Sequence, residues 1–191
     1  AWNIEGVQFD KPKLKIQGIE AVRSSTPHAC REKIKDTLKI IMKGDNNKLI
    51  EFVAKFREEF FKMNFEDVAF PRGCNGLLKY ADDQKIYSNG TPIHVRGALV
   101  YNYLLKKNKL ENKYLSINEG EKIKFTYLKT PNTFKDSVVS FPSRLPAEFA
   151  IQDFIDYDTQ FNKTFLEPIR IILDCMGWKA EKTSSIEDFF T

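Results

Sequence analysis

Acidic side chains that could hold a divalent cation occur in two short groups, Asp82 with Asp83 and Glu119 with Glu121. Carboxylate oxygens are the ligands that Mg²⁺ and Ca²⁺ prefer, and a metal held in this way could activate water in a nuclease. The first pair, however, lies in a lysine- and tyrosine-containing segment after a glycine, and the second pair flanks a glycine before a strand pattern. The sequence therefore favours solvated turns and predicts no metal site, with a nuclease based on Asp82 and Asp83 as an alternative.

Nucleophilic or acid–base catalysis has no clear candidate in this sequence. Such chemistry needs a nucleophile within reach of its base. The chain has two histidines, His28 and His94, and neither has a nucleophile-like setting. It contains no GxSxG, P-loop or GxGxxG motif. We therefore expect no catalytic residue and no cofactor in this chain, which on its own is not expected to be an enzyme.

Cationic, hydroxyl and aromatic side chains gather at three predicted helix starts or loops. The groups are Arg23, Ser24 and Ser25; Lys79 and Tyr80; and His94, Arg96 and Gly97. At a helix N-terminus, free N–H groups and the helix dipole favour a bound phosphate. Each group alone is also typical of a solvated surface or a helix cap. Together they predict a surface that follows a phosphate backbone.

The end of the chain is a separate feature. A polar stretch after Trp178 precedes Ile186, Phe189 and Phe190, which fall on one face of a single helical turn. Two exposed phenylalanines at a free terminus are costly unless a partner receives them. The pattern predicts a docking peptide for a hydrophobic pocket of another protein. The alternative is that the tail folds back onto its own core.

The composition is that of a folded protein without a membrane span. The chain has 191 residues, 42% of them hydrophobic, and a formal net charge of +4 that is compatible with a polyanionic partner. No apolar run approaches the roughly 20 residues that cross a bilayer. The three cysteines are scattered and odd in number, which argues against a disulfide framework or a zinc site and indicates a reducing cytoplasm.

Apolar periodicity predicts a pair of helices after the first cationic group. Thr26 can cap and Pro27 can begin an amphipathic helix that ends at Gly44, and the polar residues 45–47 offer the cap of a second helix. A short polar joint between two such helices makes an antiparallel pair.

The remaining chain mixes strands and helices. Residues 64–93 are interrupted by proline and glycine and predict loops with short strands. A helix follows from His94, and residues 122–127 alternate as a strand with one wet, basic face, paired with the segment 137–141. The pattern then becomes helical again, with Pro168 as a kink or break. We predict a helix-rich α+β fold.

Residues 1–22 read as two strand-like stretches around a turn, the second with Leu14 and Ile16 alternating with polar residues. Because a lone hairpin is marginal in water, we expect these strands to be the edge of a sheet whose remainder lies elsewhere. The alternative is that they pack on the chain's own helices.

Taken in order, several segments resemble the C-terminal end of the family B replicative DNA polymerases of T-even-like bacteriophages, and the similarity runs the whole length of the chain. The segments are KPKLKIQGIEAVRSSTP, NGLLKY, TPIHVRGALVYN, EGEKI, NKTFLEPI and SSIEDFF. The resemblance implies three parts: the last palm strands at residues 1–22, a thumb domain at residues 23–178, and a flexible tail at residues 179–191 with a sliding-clamp-binding peptide.

The resemblance also implies roles for the cationic groups. Arg23 matches a basic position that reaches the minor groove near the primer terminus, where lysine is expected, so arginine keeps the charge and changes the geometry. Lys163 matches a basic position in a late helix, whereas Glu167 stands where a second cation is expected. Ser24 and Ser25 follow Arg23 as in the family and are expected to bind DNA with it. The residues that match the thumb segments approaching the primer and template backbone are Lys79, Tyr80, His94, Arg96 and Gly97. The clamp anchors implied by the resemblance are Ile186, Phe189 and Phe190.

By the same resemblance, the catalytic carboxylates and their Mg²⁺ lie upstream of this chain. The implied partners are primer–template duplex DNA, the remainder of the polymerase (palm, fingers and exonuclease domains) and the sliding clamp, in the cytoplasm of the infected bacterial host. The resemblance leaves two expectations open: an excised fragment, or one polypeptide of a split polymerase. The alternative function is that of a structural fragment with negligible DNA binding until it is assembled with palm and fingers.

Overall fold

A computed structural model describes residues 15–17 and 20–181. Most of the predicted hairpin of residues 1–22 lies outside the described residues, as do the predicted anchors Ile186, Phe189 and Phe190.

The described elements confirm a mixed helix and sheet architecture. The helices are α1 (His28–Met42), α2 (Asn46–Phe60), α3 (Phe65–Val68), α4 (Leu77–Tyr80), α5 (Ile93–Lys107), α6 (Tyr157–Phe161) and α7 (Glu167–Cys175). The strands are β1 (Phe70–Gly73), β2 (Ala81–Asp82), β3 (Ile86–Tyr87), β4 (Lys122–Tyr127) and β5 (Val138–Phe141). None of the described helices is long and apolar enough to cross a bilayer.

The predicted helical pair is confirmed as α1 and α2. Gly44 ends α1 with φ +74°, a left-handed conformation that glycine adopts without steric cost. The Asp45 carboxylate then caps α2 by accepting a hydrogen bond from the Lys48 N–H at 2.9 Å. The predicted cap of α1 was wrong: Pro27 is itself the N-cap, no side chain caps the helix, and Thr26 is buried.

A long C-terminal helix packs on this pair. Its two regular parts, α6 and α7, are joined by a π-helical segment, Asn162–Leu166. In a regular helix the Pro168 ring would clash with the carbonyl four residues earlier, and a wider turn relieves this clash. The predicted irregularity at Pro168 therefore appears as a widened turn, and the helix continues to Cys175.

The core between these helices is mainly aromatic. Phe56 of α2 lies 5.6 Å from Phe161 and 4.8 Å from Phe165, measured between ring centroids, and Phe60 lies 5.1 Å from Phe161. All four rings are fully buried. The C-terminal helix is thus fixed against α2, and with it the position of Lys163.

The central sheet is antiparallel with strand order β1–β4–β5, and β2 pairs with β3 as a separate hairpin. The predicted pairing of residues 122–127 with 137–141 is confirmed, with Phe125 opposite Ser140 and Tyr127 opposite Val138. The predicted wet, basic face of β4 is confirmed only at Lys122, which is exposed. The helices α3 and α6 cover the rest of that face. Lys124 Nζ donates to the Glu66 carbonyl at 2.8 Å, and Thr126 is fully buried.

A buried glutamine joins the C-terminal helix to the sheet. Gln160 Nε2 donates to the Val68 carbonyl at 2.7 Å, and its Oε1 accepts from Tyr127 N–H at 3.3 Å and Thr126 Oγ1 at 3.4 Å. Because an unpaired buried amide is costly, these bonds specify how the helix sits on the strand. They place Lys163, one turn further on, near the edge of the sheet that carries β1.

Candidate nucleic-acid interface

The segment at Arg23–Ser25 is held against the sheet by an arginine of β1. Arg72 Nη1 donates to the Ser25 carbonyl at 3.0 Å and to the Pro71 carbonyl at 3.3 Å, and its guanidinium lies 5.8 Å from the Phe70 ring centre. The backbone turns at this point, where the Thr26 N–H donates to the Arg23 carbonyl at 3.2 Å. Arg72 therefore fixes the first predicted cationic group to the sheet edge.

A shallow cavity of about 290 Å³ lies beside this junction, and we refer to it as the basic groove. It is lined by Arg23, Ser25, Arg72 and Lys163 together with Glu20 and Glu167. Three of the predicted contact residues, Arg23, Ser25 and Lys163, thus come together from segments far apart in sequence. Arg72, which no sequence pattern predicted as a contact residue, joins them.

The outer cations of the groove are paired on the surface. Arg23 Nη1 lies 2.8 Å from Glu20 Oε1, and Lys163 Nζ lies 2.6 Å from Glu167 Oε1. The hydrogen bond to Glu167 raises the pKa of Lys163, which therefore stays charged at neutral pH. Exposed ion pairs are weak, so both cations can exchange a carboxylate for another anion at little cost. Glu167 occupies the position at which a second cation was expected.

A second cavity, of about 550 Å³, continues from the groove along the sheet. Ser24, Ser25, Arg72 and Lys122 line it together with Pro71, Gly73, Gly120 and Ile123. Since Ser25 and Arg72 border both cavities, the two adjoin, with Arg23 and Lys163 lining the first and Lys122 the second. This arrangement suits an extended chain of anionic groups better than a single ion.

The cations of the groove influence the pKa values of Tyr127 and of His94, which lies at the start of α5. The pKa of Tyr127 is raised, chiefly because burial disfavours the phenolate, while the cations of Lys163, Arg72 and Arg96 act in the opposite direction. The pKa of His94 is lowered, first by burial and second by the charge of Arg72. His94 is therefore neutral at pH 7 and could contribute a hydrogen bond, but not a charge, to a phosphate.

Arg96 is committed to an internal polar cluster. Its Nε lies 3.2 Å from Asp136 Oδ1, without the alignment of a hydrogen bond, and its Nη2 donates to Ser137 Oγ at 2.8 Å. Asp136 is buried and also accepts from the Tyr87 hydroxyl at 2.7 Å and the Val138 N–H at 3.2 Å. Much of the charge of Arg96 is therefore already balanced by the Asp136 carboxylate within the protein.

Gly97 is buried where α5 meets β5. A Cβ atom at this position would lie 2.5 Å from Ser140 Oγ, 2.7 Å from Ser140 N and 2.9 Å from the Val139 carbonyl carbon. The Ser140 hydroxyl donates to the His94 carbonyl at 2.7 Å across the same contact. Gly97 thus allows the close approach that orients the start of α5, and a direct contact of this residue with DNA stays a prediction.

Lys79 and Tyr80 lie on a different element, the short helix α4. Lys79 is exposed, with Nζ 5.1 Å from the Tyr80 ring centre. The Glu119 carboxylate accepts from the N–H groups of Gly76 and Leu78, and the first of these bonds lowers the pKa of Glu119. An acidic cap therefore already occupies the start of α4. A phosphate contact by this pair stays a prediction.

In both acidic pairs considered as metal ligands, carboxylates accept hydrogen bonds from backbone N–H groups. Asp82 Oδ1 accepts from the N–H groups of Gln84 and Lys85 at 2.8 and 3.1 Å, which closes the turn between β2 and β3. Glu121 binds the side chain and N–H of Asn118, and these bonds lower its pKa. Among residues 15–17 and 20–181, no three acidic, histidine or cysteine side chains are grouped as a metal site requires.

Comparison with known proteins gives two relatives. The chain is 28% identical over 193 residues to the DNA-directed DNA polymerase of Enterobacteria phage T4 and 31% identical over 193 residues to that of Escherichia phage RB69. Each match takes in 99% of this chain, and the chain spans about a fifth (21%) of the length of each relative. No protein-family model matches. The resemblance to T-even phage polymerases is therefore confirmed at low identity.

Proposed function

We propose, on the premise that this chain corresponds to a part of a T-even phage DNA polymerase, that it forms the polymerase's thumb and grips primer–template duplex DNA through its phosphates and minor groove. In this proposal residues 1–22 are the last palm strands, residues 23–178 the thumb and residues 179–191 a clamp-binding tail. The observation that carries the proposal is the basic groove, where Arg23, Ser25, Arg72 and Lys163 converge.

The groove has the chemistry of a backbone contact rather than of base recognition. A guanidinium fork binds two phosphate oxygens, an ammonium binds as a point charge, and serine hydroxyls or free N–H groups complete the contact. Glu20 and Glu167 compete with phosphate for the two outer cations, so the grip is modest and salt-sensitive. A modest grip of this kind lets the polymerase move along DNA while the primer terminus stays at the active site.

The proposed thumb positions the DNA and does not itself catalyse bond formation. We propose that nucleotidyl transfer, with its Mg²⁺, belongs to the palm and fingers of the same polymerase, and that the thumb works beside them in the cytoplasm of the infected host. The alternative is a structural fragment that binds DNA only when these parts are assembled around it. The groove favours intrinsic binding, because its cations are oriented by contacts within the chain itself.

The first prediction concerns the two exposed cations of the groove. Replacing both Arg23 and Lys163 by glutamine should weaken duplex binding, because two phosphate contacts are lost. The slope of log K against log salt concentration should become shallower by about 1.8. Fluorescence anisotropy with a labelled primer–template duplex measures both quantities. Arg72 is left unchanged in this test because it also holds the Ser25 carbonyl.

Lys55→Gln is the matched control, since Lys55 is an exposed lysine on α2. It removes a charge without touching the groove and should leave the salt slope as it is. An equal loss of affinity per removed charge in the control and the double variant would show that the groove has no special role and that only net charge matters.

The second prediction concerns the tail. We propose that Ile186, Phe189 and Phe190 anchor the chain to the sliding clamp, a tether that makes rebinding nearly intramolecular. Deleting residues 185–191 should abolish or strongly weaken clamp association in a pull-down or surface-binding assay. Duplex affinity measured by anisotropy should be unchanged. Equal loss of both would contradict this division of roles.

A further inference from the structure

A cavity of about 500 Å³ lies away from the basic groove, between the C-terminal half of α5, the β2–β3 turn and the loop before β5. Its volume is within the range of small-ligand sites, which is roughly 300–1,000 Å³. Three lysines line it, Lys85, Lys107 and Lys135, together with three aromatic residues, Tyr87, Tyr103 and Phe134. Cations around aromatic side chains are the combination that receives a nucleotide, because phosphates need charge and bases need flat apolar faces.

The charges of this cavity are available to a ligand. In the part of the chain that the structure describes, no ion pair joins Lys85, Lys107 or Lys135 to a carboxylate. Asp136 is the acidic residue of the lining, and its carboxylate is engaged by Arg96 and by the Tyr87 hydroxyl. The cavity therefore presents a net positive surface to solvent.

Two aromatic residues of this cavity, Tyr103 and Tyr87, are placed so that a base could stack against them. Tyr103 is 42% exposed, and Lys107 Nζ lies 5.9 Å from its ring centre. Tyr87, which also lines the cavity, is fixed by its hydrogen bond to Asp136 and by Arg96, whose guanidinium lies 5.8 Å from its ring centre. One ring is thus free to stack with a base, and the other forms a rigid wall.

Two strained residues shape the cavity. Ile86 has φ +62° and Lys135 has φ +56°, values that are unfavourable for residues with a Cβ and most of all for a β-branched one. Ile86 sits at the centre of a three-residue turn in which the Tyr87 N–H approaches the Lys85 carbonyl at 2.5 Å. Strain retained in this way is typical of binding sites, because the surroundings hold a shape that the local sequence disfavours.

We propose that this cavity binds single-stranded nucleic acid, with one base stacked on Tyr103 and the flanking phosphates on Lys85, Lys107 and Lys135. This site would recognise a strand without sequence preference, because every base has a flat face. It does not depend on the duplex grip proposed above, since none of its residues lines the basic groove.

The test is an anisotropy titration of the full 191-residue chain with a labelled oligothymidylate of about six nucleotides. Tyr103→Ala should weaken binding by about five- to 160-fold, the range expected for loss of one stacked base, and Tyr103→Phe should restore it. Replacing Lys85 and Lys107 together by glutamine should make the salt slope shallower by about 1.4. Lys55→Gln, on α2, should leave affinity and slope unchanged.

Failure of the native chain to bind the oligonucleotide at low salt would overturn the inference. So would native affinity in both Tyr103→Ala and the lysine pair. Complete displacement by thymidine monophosphate at an equal nucleotide concentration would assign the cavity to a free nucleotide and overturn the single-strand assignment. The phosphates of this probe could also contact the basic groove, but Tyr103, Lys85 and Lys107 lie outside it. Loss of binding in these variants therefore reports on the cavity, and the primer–template titration measures duplex binding by the groove separately.

Discussion

Replacing Asp136 by asparagine is expected to lower the free energy of unfolding by about 2 kcal/mol. The substitution keeps the shape of the side chain but removes the charge that faces Arg96, and it leaves a half-buried guanidinium without its counter-ion. A fully buried pair would cost more, but the Arg96 side chain is 27% exposed and water screens part of the loss. Urea unfolding followed by circular dichroism measures the change.

Two further variants separate the ion pair from the neighbouring hydrogen bonds. Tyr87→Phe removes a single hydroxyl from the Asp136 cluster and should cost about 1 kcal/mol. The double variant Asp136→Asn with Arg96→Gln should be less destabilised than the sum of the two single variants, because each charge is costly mainly when the other is absent. Simple additivity would show that the two side chains do not stabilise each other.

Replacing Gly97 by alanine is expected to destabilise the fold by about 2 kcal/mol. The added methyl group would come within 2.9 Å or less of backbone atoms in β5, so either α5 or the strand must move. Overpacking of this kind costs about 3 kcal/mol, and the better helix propensity of alanine returns about 1 kcal/mol. Urea unfolding is again the measurement, with the unfolding midpoint as the readout.

Gly73→Ala is the matched control for this prediction. Gly73 does not have a positive φ, and the nearest atom to its added Cβ would be Asn75 Nδ2 at 3.8 Å. Its substitution should change stability by less than about 0.5 kcal/mol. If both alanine variants were equally stable, the contact between α5 and β5 would not be as close as the structure shows.

Local signals predicted much of the fold. The apolar stripes and the polar residues around Gly44 and Asp45 were sufficient to predict α1 and α2, because helix ends depend on nearby residues. Alternation of apolar residues likewise predicted β4 and its pairing with β5. The covering of Lys124 and Thr126 was missed, since the helices that lie over these two residues are far away in sequence.

The candidate site was predicted only in part. Arg23, Ser25 and Lys163 were identified from helix starts and from resemblance, and the fold brings them together. Arg72 was missed because a single arginine between a proline and a glycine reads as loop, and its role depends on a bond to Ser25, 47 positions away in the chain. The pairing of Arg96 with Asp136 was missed for the same reason, since no local pattern joins α5 to the loop before β5.

The central claim, that this chain grips duplex DNA by itself, is tested most directly by titrating the native chain with a labelled primer–template duplex at two salt concentrations. If about three phosphates are held, affinity should fall about forty-fold between about 50 and 200 mM salt. Binding with this salt dependence is the predicted result. No binding at the lower salt concentration would contradict it, and would mean that the groove holds DNA only when the palm and fingers of the polymerase complete the grip.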